Sequence, residues 1–107
     1  MRKNKITDPK KITEMKRRVK TLQRQLGHVG PVMRGSVVWL GTRTKQPYFS
    51  LNKENKTRLI YLGKKREPLA RTLSANYQTL LAIVEEMTLL NMELLKHNAW
   101  DSPGLKG

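Results

Sequence analysis

The sequence contains no cysteine, only eight acidic residues and only two histidines. Without cysteine, the chain has no disulfides, no cysteine-ligated zinc or iron–sulfur site and no thiol nucleophile. His28 and His97 lie far apart in the sequence, and neither has a pair of carboxylates beside it. Glu85 and Glu86 are adjacent on a predicted helix, so their side chains diverge by about 100° and do not form a metal clamp alone. We therefore expect a non-enzymatic protein with no catalytic residue, no metal and no cofactor.

Long apolar runs are also missing. No segment approaches the roughly 18 consecutive apolar residues of a membrane span, and the basic N-terminus has no apolar signal core. We expect a cytoplasmic protein without a membrane partner. A chain of 107 residues has the size of a single domain.

Positive charge is what the sequence has in excess, with 22 Lys and Arg against eight Asp and Glu and a formal net charge of +14. Residues 1–26 hold ten cations and two acids, residues 27–68 hold nine and two, and residues 69–107 hold three and four. The first two thirds of the chain are strongly cationic and the last third is nearly neutral. This distribution predicts one part that binds a polyanion and another part that assembles.

A basic helix is predicted over residues 8–26. Asp8 is a good N-cap, and Pro9 suits the first helical position. The apolar residues recur at helical spacing, and Gly27 is expected just beyond the end of the helix. They are Ile12, Met15, Val19, Leu22 and Leu26. The other faces of this helix carry many Lys and Arg, with Glu14 as the acid among them. Such a surface is typical either of a solvated face or of phosphate contact, and because nearly all of its charge has one sign, phosphate contact is favoured.

A three-stranded antiparallel meander is predicted within residues 35–62, with strands at 36–40, 48–52 and 57–62. A tight turn at Glu54 and Asn55 sets the register. It pairs Asn52 with Thr57, Leu51 with Arg58, Phe49 with Ile60 and Tyr48 with Tyr61. One face, with Phe49, Leu51, Ile60 and Leu62, is expected to pack on a helix, and the other face is expected to be half solvated.

A long helix is predicted over residues 68–98, after a basic hinge at residues 63–66 and before a flexible tail at 101–107. Eight residues keep the spacing of a coiled-coil seam, and all of them except Asn91 are apolar. They are Ala70, Leu73, Tyr77, Leu80, Val84, Met87, Asn91 and Leu94. We expect self-association, with a dimer favoured, through Leu80, Val84, Met87, Asn91 and Leu94. The polar Asn91 is the seam residue suited to fixing the number of partners.

Basic residues alternate with aromatic residues in the cationic part, a composition typical of nucleic-acid binding. The predicted nucleic-acid contacts are Lys16, Arg17, Arg18, Lys20, Arg24, Arg34, Arg43, Lys45, Tyr48, Lys53, Lys56, Arg58, Tyr61, Lys64, Lys65 and Arg66. Aromatic residues of a meander more often pack in a core, so we expect Trp39 to pack. For Tyr48 and Tyr61, packing and base stacking remain equal alternatives.

Several motifs carry a resemblance to a known group of proteins. They are Arg34-Gly35-Ser36, Pro47 to Leu51, Lys56 to Leu62, Asn76-Tyr77 and Leu90 to Leu95. Together they resemble a family of short uncharacterised bacterial proteins associated with transposons and other mobile elements. Many members carry a cysteine cluster in the first hairpin, where this chain has Thr42 to Gln46, so a metal knuckle is missing. The layout is also similar to the arm-type DNA-binding domains of phage integrases.

We therefore predict an α+β fold made of a basic helix, a three-stranded antiparallel sheet and a long helix that packs on both. The predicted function is nucleic-acid binding, with DNA preferred to RNA, as an accessory factor of a mobile element. The resemblance implies that the protein is located in a bacterial cytoplasm, where it could associate with the nucleoid. One alternative is a structural adaptor or oligomerisation module whose long helix binds a partner such as a recombinase or transposase. A further alternative is an RNA-binding protein.

Overall fold

The structure, a computed structural model, describes residues 8–99. Along the chain it has helix α1 (Pro9–Gly27), strands β1 (Ser36–Leu40), β2 (Gln46–Lys53) and β3 (Lys56–Tyr61), and helix α2 (Gly63–Lys96). This order confirms the predicted α+β class. The predicted tail at residues 101–107 lies outside the described residues. Of the described residues, 8–28 and 82–99 form one compact unit, called unit 1, and residues 29–81 form unit 2.

Helix α1 begins as its sequence predicts. The Asp8 carboxylate accepts a hydrogen bond from the Lys10 backbone N–H at 3.0 Å, and Pro9 occupies the first turn. Val19 and Leu22 are buried, while the other predicted apolar positions are half-buried. The predicted end is wrong in one detail, because Gly27 is the last helical residue and His28 caps the helix with a right-handed backbone.

The sheet has the order β1-β2-β3 with antiparallel pairing throughout. All four predicted pairs between β2 and β3 are confirmed, from Asn52 with Thr57 to Tyr48 with Tyr61. Glu54 and Asn55 both have positive φ, at 53° and 63°, as a two-residue hairpin turn requires. The turn thus fixes which residues share a face.

The core of unit 2 forms between the sheet and the first part of α2. Phe49, Leu62 and Ala70 are buried together, with Met33, Val37 and Leu51 packed against them. The prediction that Ile60 packs there is wrong, since its side chain is 55% exposed. All six residues of β3, an edge strand of the sheet, are exposed.

Helix α2 begins five residues earlier than predicted, so residues 63–66 are helical and not a hinge. Gly63 has φ +69°, which lets the chain leave β3 and enter the helix directly. The Arg66 guanidinium then binds the carbonyl oxygens of Leu62 and Tyr61, at 3.1 and 2.7 Å. Pro68 lies inside the helix, where it removes one backbone donor near the helix start.

The last turn of α2 ends in a Schellman motif. Ala99 donates its backbone N–H to the carbonyl of Leu94 at 2.8 Å, and Asn98 donates to Leu95 at 3.0 Å. Asn98 has φ +52°, the left-handed conformation that this motif needs. The helix therefore ends at Lys96, two residues before the predicted boundary.

The predicted seam of α2 is wrong at Val84, and its other residues are buried or half-buried. Ala70 and Leu94 are buried, but Val84 is exposed and its neighbour Ile83 is buried instead. At 3.6 residues per turn, Ile83 and Leu94 lie within about 20° of each other around α2. Val84 lies about 80° from Leu94, outside the face that these two residues bury.

Candidate nucleic-acid interface

The sixteen predicted contact residues divide between the two units. Unit 1 holds Lys16, Arg17, Arg18, Lys20 and Arg24, all on α1. Unit 2 holds the other eleven, from Arg34 to Arg66. The two groups are built by different elements.

On α1, four exposed cations lie on the side opposite the buried Val19 and Leu22. They are Lys10, Arg17, Lys20 and Arg24, and we call them the basic stripe. Lys10, Arg17 and Arg24 recur at seven-residue intervals, so they share one face and span about 21 Å at 1.5 Å per residue. Lys10 was not among the predicted contacts, although the same spacing in the sequence would have found it.

Arg18 lies outside the basic stripe and contacts a carboxylate. Its Nε donates to Glu86 Oε2 at 2.7 Å, and its Nη2 donates to Glu86 Oε1 at 3.0 Å. The hydrogen bond raises the pKa of Arg18 and lowers the pKa of Glu86 below its ordinary value. Both side chains remain nearly half exposed. Because the Glu86 carboxylate offsets the charge of Arg18, we expect Arg18 to attract a phosphate less strongly than Arg17 does.

In unit 2, three cations gather at the end of the second hairpin. The register places Lys53 directly opposite Lys56, and Arg58 follows on the same face of the sheet. All three are exposed. Like charges that face each other across a strand pair are destabilising. Glu54, in the turn between the two lysines, is the single acid of residues 46–61.

A second cationic cluster of unit 2 lies at the start of α2. Lys64 and Lys65 are exposed in a first turn that contains no acid. The helix dipole disfavours cations at this end. Arg66, the next residue, is held by the backbone carbonyls described above, and Arg34 similarly donates its Nη1 to Asn52 O at 3.1 Å. Arg43 and Lys45 are exposed near the first hairpin loop.

The sheet face that does not contact α2 carries the two tyrosines. Their ring centroids are 5.5 Å apart with an interplanar angle of 69°, an edge-to-face pair. The Tyr61 hydroxyl donates to Gln46 Oε1 at 3.2 Å. Tyr61 is exposed and Tyr48 is half-buried. The exposed ring of Tyr61 therefore has a surface available for base stacking. The half-buried ring of Tyr48 mainly packs against Tyr61 and supports it.

Trp39 is the aromatic residue that the sequence interpretation placed wrongly. It was expected to pack, yet its side chain is 54% exposed. It lies opposite Pro47 on the face that carries the buried Phe49. Two signals were present in the sequence: β1 is the first strand of a meander and therefore an edge, and a proline on the neighbouring strand leaves little side chain to cover an indole.

Residues 8–99 contain no group of three or more His, Asp or Glu side chains placed to hold a metal ion. Within the same residues, neither helix is long and apolar enough to cross a membrane.

Comparison with protein-family models, with curated protein sequences and with solved structures returns no match. The resemblance to mobile-element proteins therefore stays a prediction.

Proposed function

We propose that this chain is a non-enzymatic nucleic-acid-binding protein that contacts phosphates through the basic stripe of α1 and through the cationic clusters of unit 2. Residues 8–99 hold eighteen Lys and Arg against seven Asp and Glu. Even if every acid neutralised one cation, eleven positive charges would remain. Polyphosphate backbones are the biological ligands that such a surface attracts most strongly.

The observation that carries the proposal is the placement of cations where the fold itself disfavours them. Lys53 opposes Lys56 across the hairpin end, and Lys64 and Lys65 occupy the positive end of α2. Each placement lowers the stability of the free protein. A bound phosphate would reverse both effects, because it supplies the missing negative charge at each position.

The preference for DNA, the role in a mobile element and the bacterial cytoplasmic location with access to the nucleoid rest on the family resemblance. A fold-level likeness of this kind does not establish function. RNA binding remains the alternative, and the first experiment separates the two. Binding of the full chain to duplex DNA, single-stranded DNA and structured RNA of equal charge is titrated at several salt concentrations. We expect the logarithm of affinity for duplex to fall by about 0.9 per contacted phosphate for each unit of log salt.

A matched pair of variants tests the basic stripe. The double variant Arg17→Gln/Lys20→Gln removes two exposed stripe cations, and we expect the duplex salt slope to become shallower by about 1.8. The control Arg18→Gln/Lys96→Gln removes the same charge from two cations that already contact carboxylates, Glu86 and Glu93. We expect a smaller change in the control. Equal slopes in both variants, or no binding by the parent at low salt, would contradict the proposal.

A second candidate function is self-association through α2, and an exposed apolar face favours it. Val84, Leu89, Met92 and Leu95 are exposed on α2 within unit 1, on the side away from the buried Ile83 and Leu94. We call them the outer apolar face. Of the five predicted association residues, Val84 belongs to this face. Leu94 is fully buried, and Leu80, Met87 and Asn91 are half-buried.

We propose that a second copy of this chain covers the outer apolar face. Residues 82–99 contain three Glu and one Lys, so this segment is weakly acidic in a chain of net charge +14. Two copies that approached through any cationic surface would repel each other. Unit 1 contributes two helices, and two such pairs would form a four-helix bundle that buries the outer apolar face of α2.

Sedimentation or light scattering at several protein concentrations tests this association. We expect Leu95→Glu to yield a monomer. Leu69→Glu is the control, because Leu69 is equally exposed, 61% against 60% for Leu95, and lies outside the outer apolar face. A parent that stays monomeric at high concentration would contradict self-association, and docking on a recombinase or transposase would then be the alternative to examine.

A further inference from the structure

A groove runs between β1 and the first part of α2, within unit 2. Its volume is about 640 Å³, in the range of small-molecule sites. It is lined by Ser36, Val37, Trp39, Glu67, Arg71, Ser74, Ala75 and Gln78. Trp39, the residue that sequence reasoning assigned to packing, forms part of its wall. None of these residues belongs to the cationic clusters described above.

The indole of Trp39 is uncovered for a structural reason. Its strand register places it on the same face as Phe49, which is buried beneath α2. The α2 residues across the groove include Ser74 and Ala75, whose short side chains leave space beside the indole. β1 is also an edge strand, so within residues 8–99 no further strand extends the sheet on that side. A large planar surface is thus presented to the groove.

The remaining groups supply hydrogen-bond donors and acceptors. Glu67 is buried at 9% exposure, and its Oε1 accepts from Arg71 Nη2 at 2.9 Å. The Arg71 side chain is otherwise 66% exposed. Ser74 donates its hydroxyl to the carbonyl of Gly35 at 2.9 Å, which leaves the oxygen able to accept. The exposed amide of Gln78 both donates and accepts.

This combination selects a class of ligand. The charges of Glu67 and Arg71 offset each other, so the groove has little to attract an isolated phosphate. A flat ring that stacks on an indole and carries donors and acceptors on its edge fits all the groups present. Nucleobases have this chemistry. Within a duplex, both faces of a base are already stacked, so only an unpaired base can enter.

We propose that the Trp39 groove binds an unpaired nucleobase, with the ring stacked on the Trp39 indole and its edge facing Arg71 and Gln78. The inference rests on the proposed nucleic-acid function and narrows it, because it makes single-stranded or locally unpaired nucleic acid the preferred ligand. The cationic clusters bind the backbone, and the groove distinguishes a strand with free bases from one without.

The test uses the full chain with Trp100→Phe, so that Trp39 is the single tryptophan. Its fluorescence is followed during titration with three probes of equal phosphate number: a thymidine oligonucleotide, an abasic oligonucleotide with the same backbone, and a duplex. We expect quenching by the thymidine probe and little change with the abasic probe or the duplex, although all three bind in a salt-dependent manner.

Variants then assign the site. Trp39→Leu is expected to weaken binding of the thymidine probe by about 5- to 150-fold, the range for loss of one stacked base, with the abasic probe unaffected. Trp39→Phe retains a smaller ring and is expected to lie between. Leu40→Ala is the control, since Leu40 is an exposed apolar residue of the same strand that points to the opposite face; it should change neither affinity.

Two results would overturn the inference in distinguishable ways. Equal affinity for the thymidine and abasic probes, with no quenching, means that only phosphates are recognised; the proposed function then stands and the groove has another occupant, such as a peptide strand. Absence of binding by all three probes at low salt removes both the proposed function and the inference.

Discussion

Arg18 and Glu86 join the two helices of unit 1 through two parallel hydrogen bonds, of 2.7 and 3.0 Å. This fork-to-carboxylate geometry is the strongest form of a side-chain ion pair. It is also a contact through which unit 1 responds to acid, because the hydrogen bond from Arg18 lowers the pKa of Glu86. The pair therefore links the stability of unit 1 to pH.

The lowered pKa of Glu86 determines how the stability of unit 1 changes with pH. The unfolded chain binds a proton at Glu86 near the ordinary glutamate value, while the folded chain keeps the carboxylate charged to lower pH. The pair stabilises the fold fully above the ordinary value, and this contribution is lost as the pH falls through the lowered pKa. We expect the difference in unfolding free energy between the parent and Glu86→Gln to be largest at pH 7 and to disappear in acid, as measured by urea unfolding.

Glu85→Gln serves as the control for this experiment. It removes the same formal charge from the adjacent residue and leaves the Arg18–Glu86 pair in place, so the acid-dependent contribution of the pair should persist. If Glu86→Gln and the parent lose stability in parallel down to acid pH, the ion pair does not form in solution.

Gly35 holds a backbone position that other residues fill only with strain. Its φ is +128°, and an added Cβ would lie 2.6 Å from both Phe49 Cζ and Ser50 O. We expect Gly35→Ala to cost at least about 2 kcal/mol of unfolding free energy, since both strain and overlap in the core oppose it. Gly27→Ala is the matched control: nothing lies within 4 Å of its added Cβ, and alanine in a helix should stabilise by about 0.5 to 1 kcal/mol.

The turn between β2 and β3 carries two residues with positive φ, Glu54 at 53° and Asn55 at 63°. Asparagine tolerates this conformation, whereas glutamate is strained in it. We expect Glu54→Asn/Asn55→Gly, the preferred pair for such a turn, to raise the unfolding free energy by about 1 kcal/mol. Glu54→Gln removes the charge but keeps the strain, so a gain in that variant would assign the effect to charge and not to the backbone.

The features that the sequence predicted correctly depend on local chemistry. The start of α1 follows from Asp8 and Pro9, whose preferences act within one turn. The register of β2 and β3 follows from a two-residue turn, which leaves no freedom in the pairing. The apolar residues of α1 needed only helical periodicity, because each helix turn repeats the same face.

The features that it missed depend on contacts between elements. Pro68 indicated a helix start, but the contacts of Arg66 with two carbonyl groups and the burial of Leu62 extend α2 toward the sheet. The exposure of Ile60 and Trp39 depends on which strands form the edges and on how far α2 covers the sheet. The groove at Trp39 combines residues from β1 and α2 that are about 30 to 40 positions apart, and no local pattern joins them.

The neighbours Leu94 and Leu95 provide the sharpest test of how α2 is oriented in unit 1. Their side chains are 0% and 60% exposed, although residue type and position in the helix are nearly identical. Leu94→Ala should leave a cavity and lower the unfolding free energy by about 2 to 5 kcal/mol. Leu95→Ala removes the same atoms from an exposed position, and surface changes of this kind stay within about 0.5 kcal/mol.

Urea unfolding of both variants should be measured at a protein concentration where light scattering shows a monomer. Under that condition the outer apolar face is uncovered, so the loss in Leu95→Ala reports on the single chain alone. At higher concentration, a second copy that covers this face would make Leu95→Ala more costly while the loss in Leu94→Ala stays constant. Equal losses in the two variants at low concentration would mean that α2 presents a different face to α1, and the assignment of the outer apolar face would fail with it.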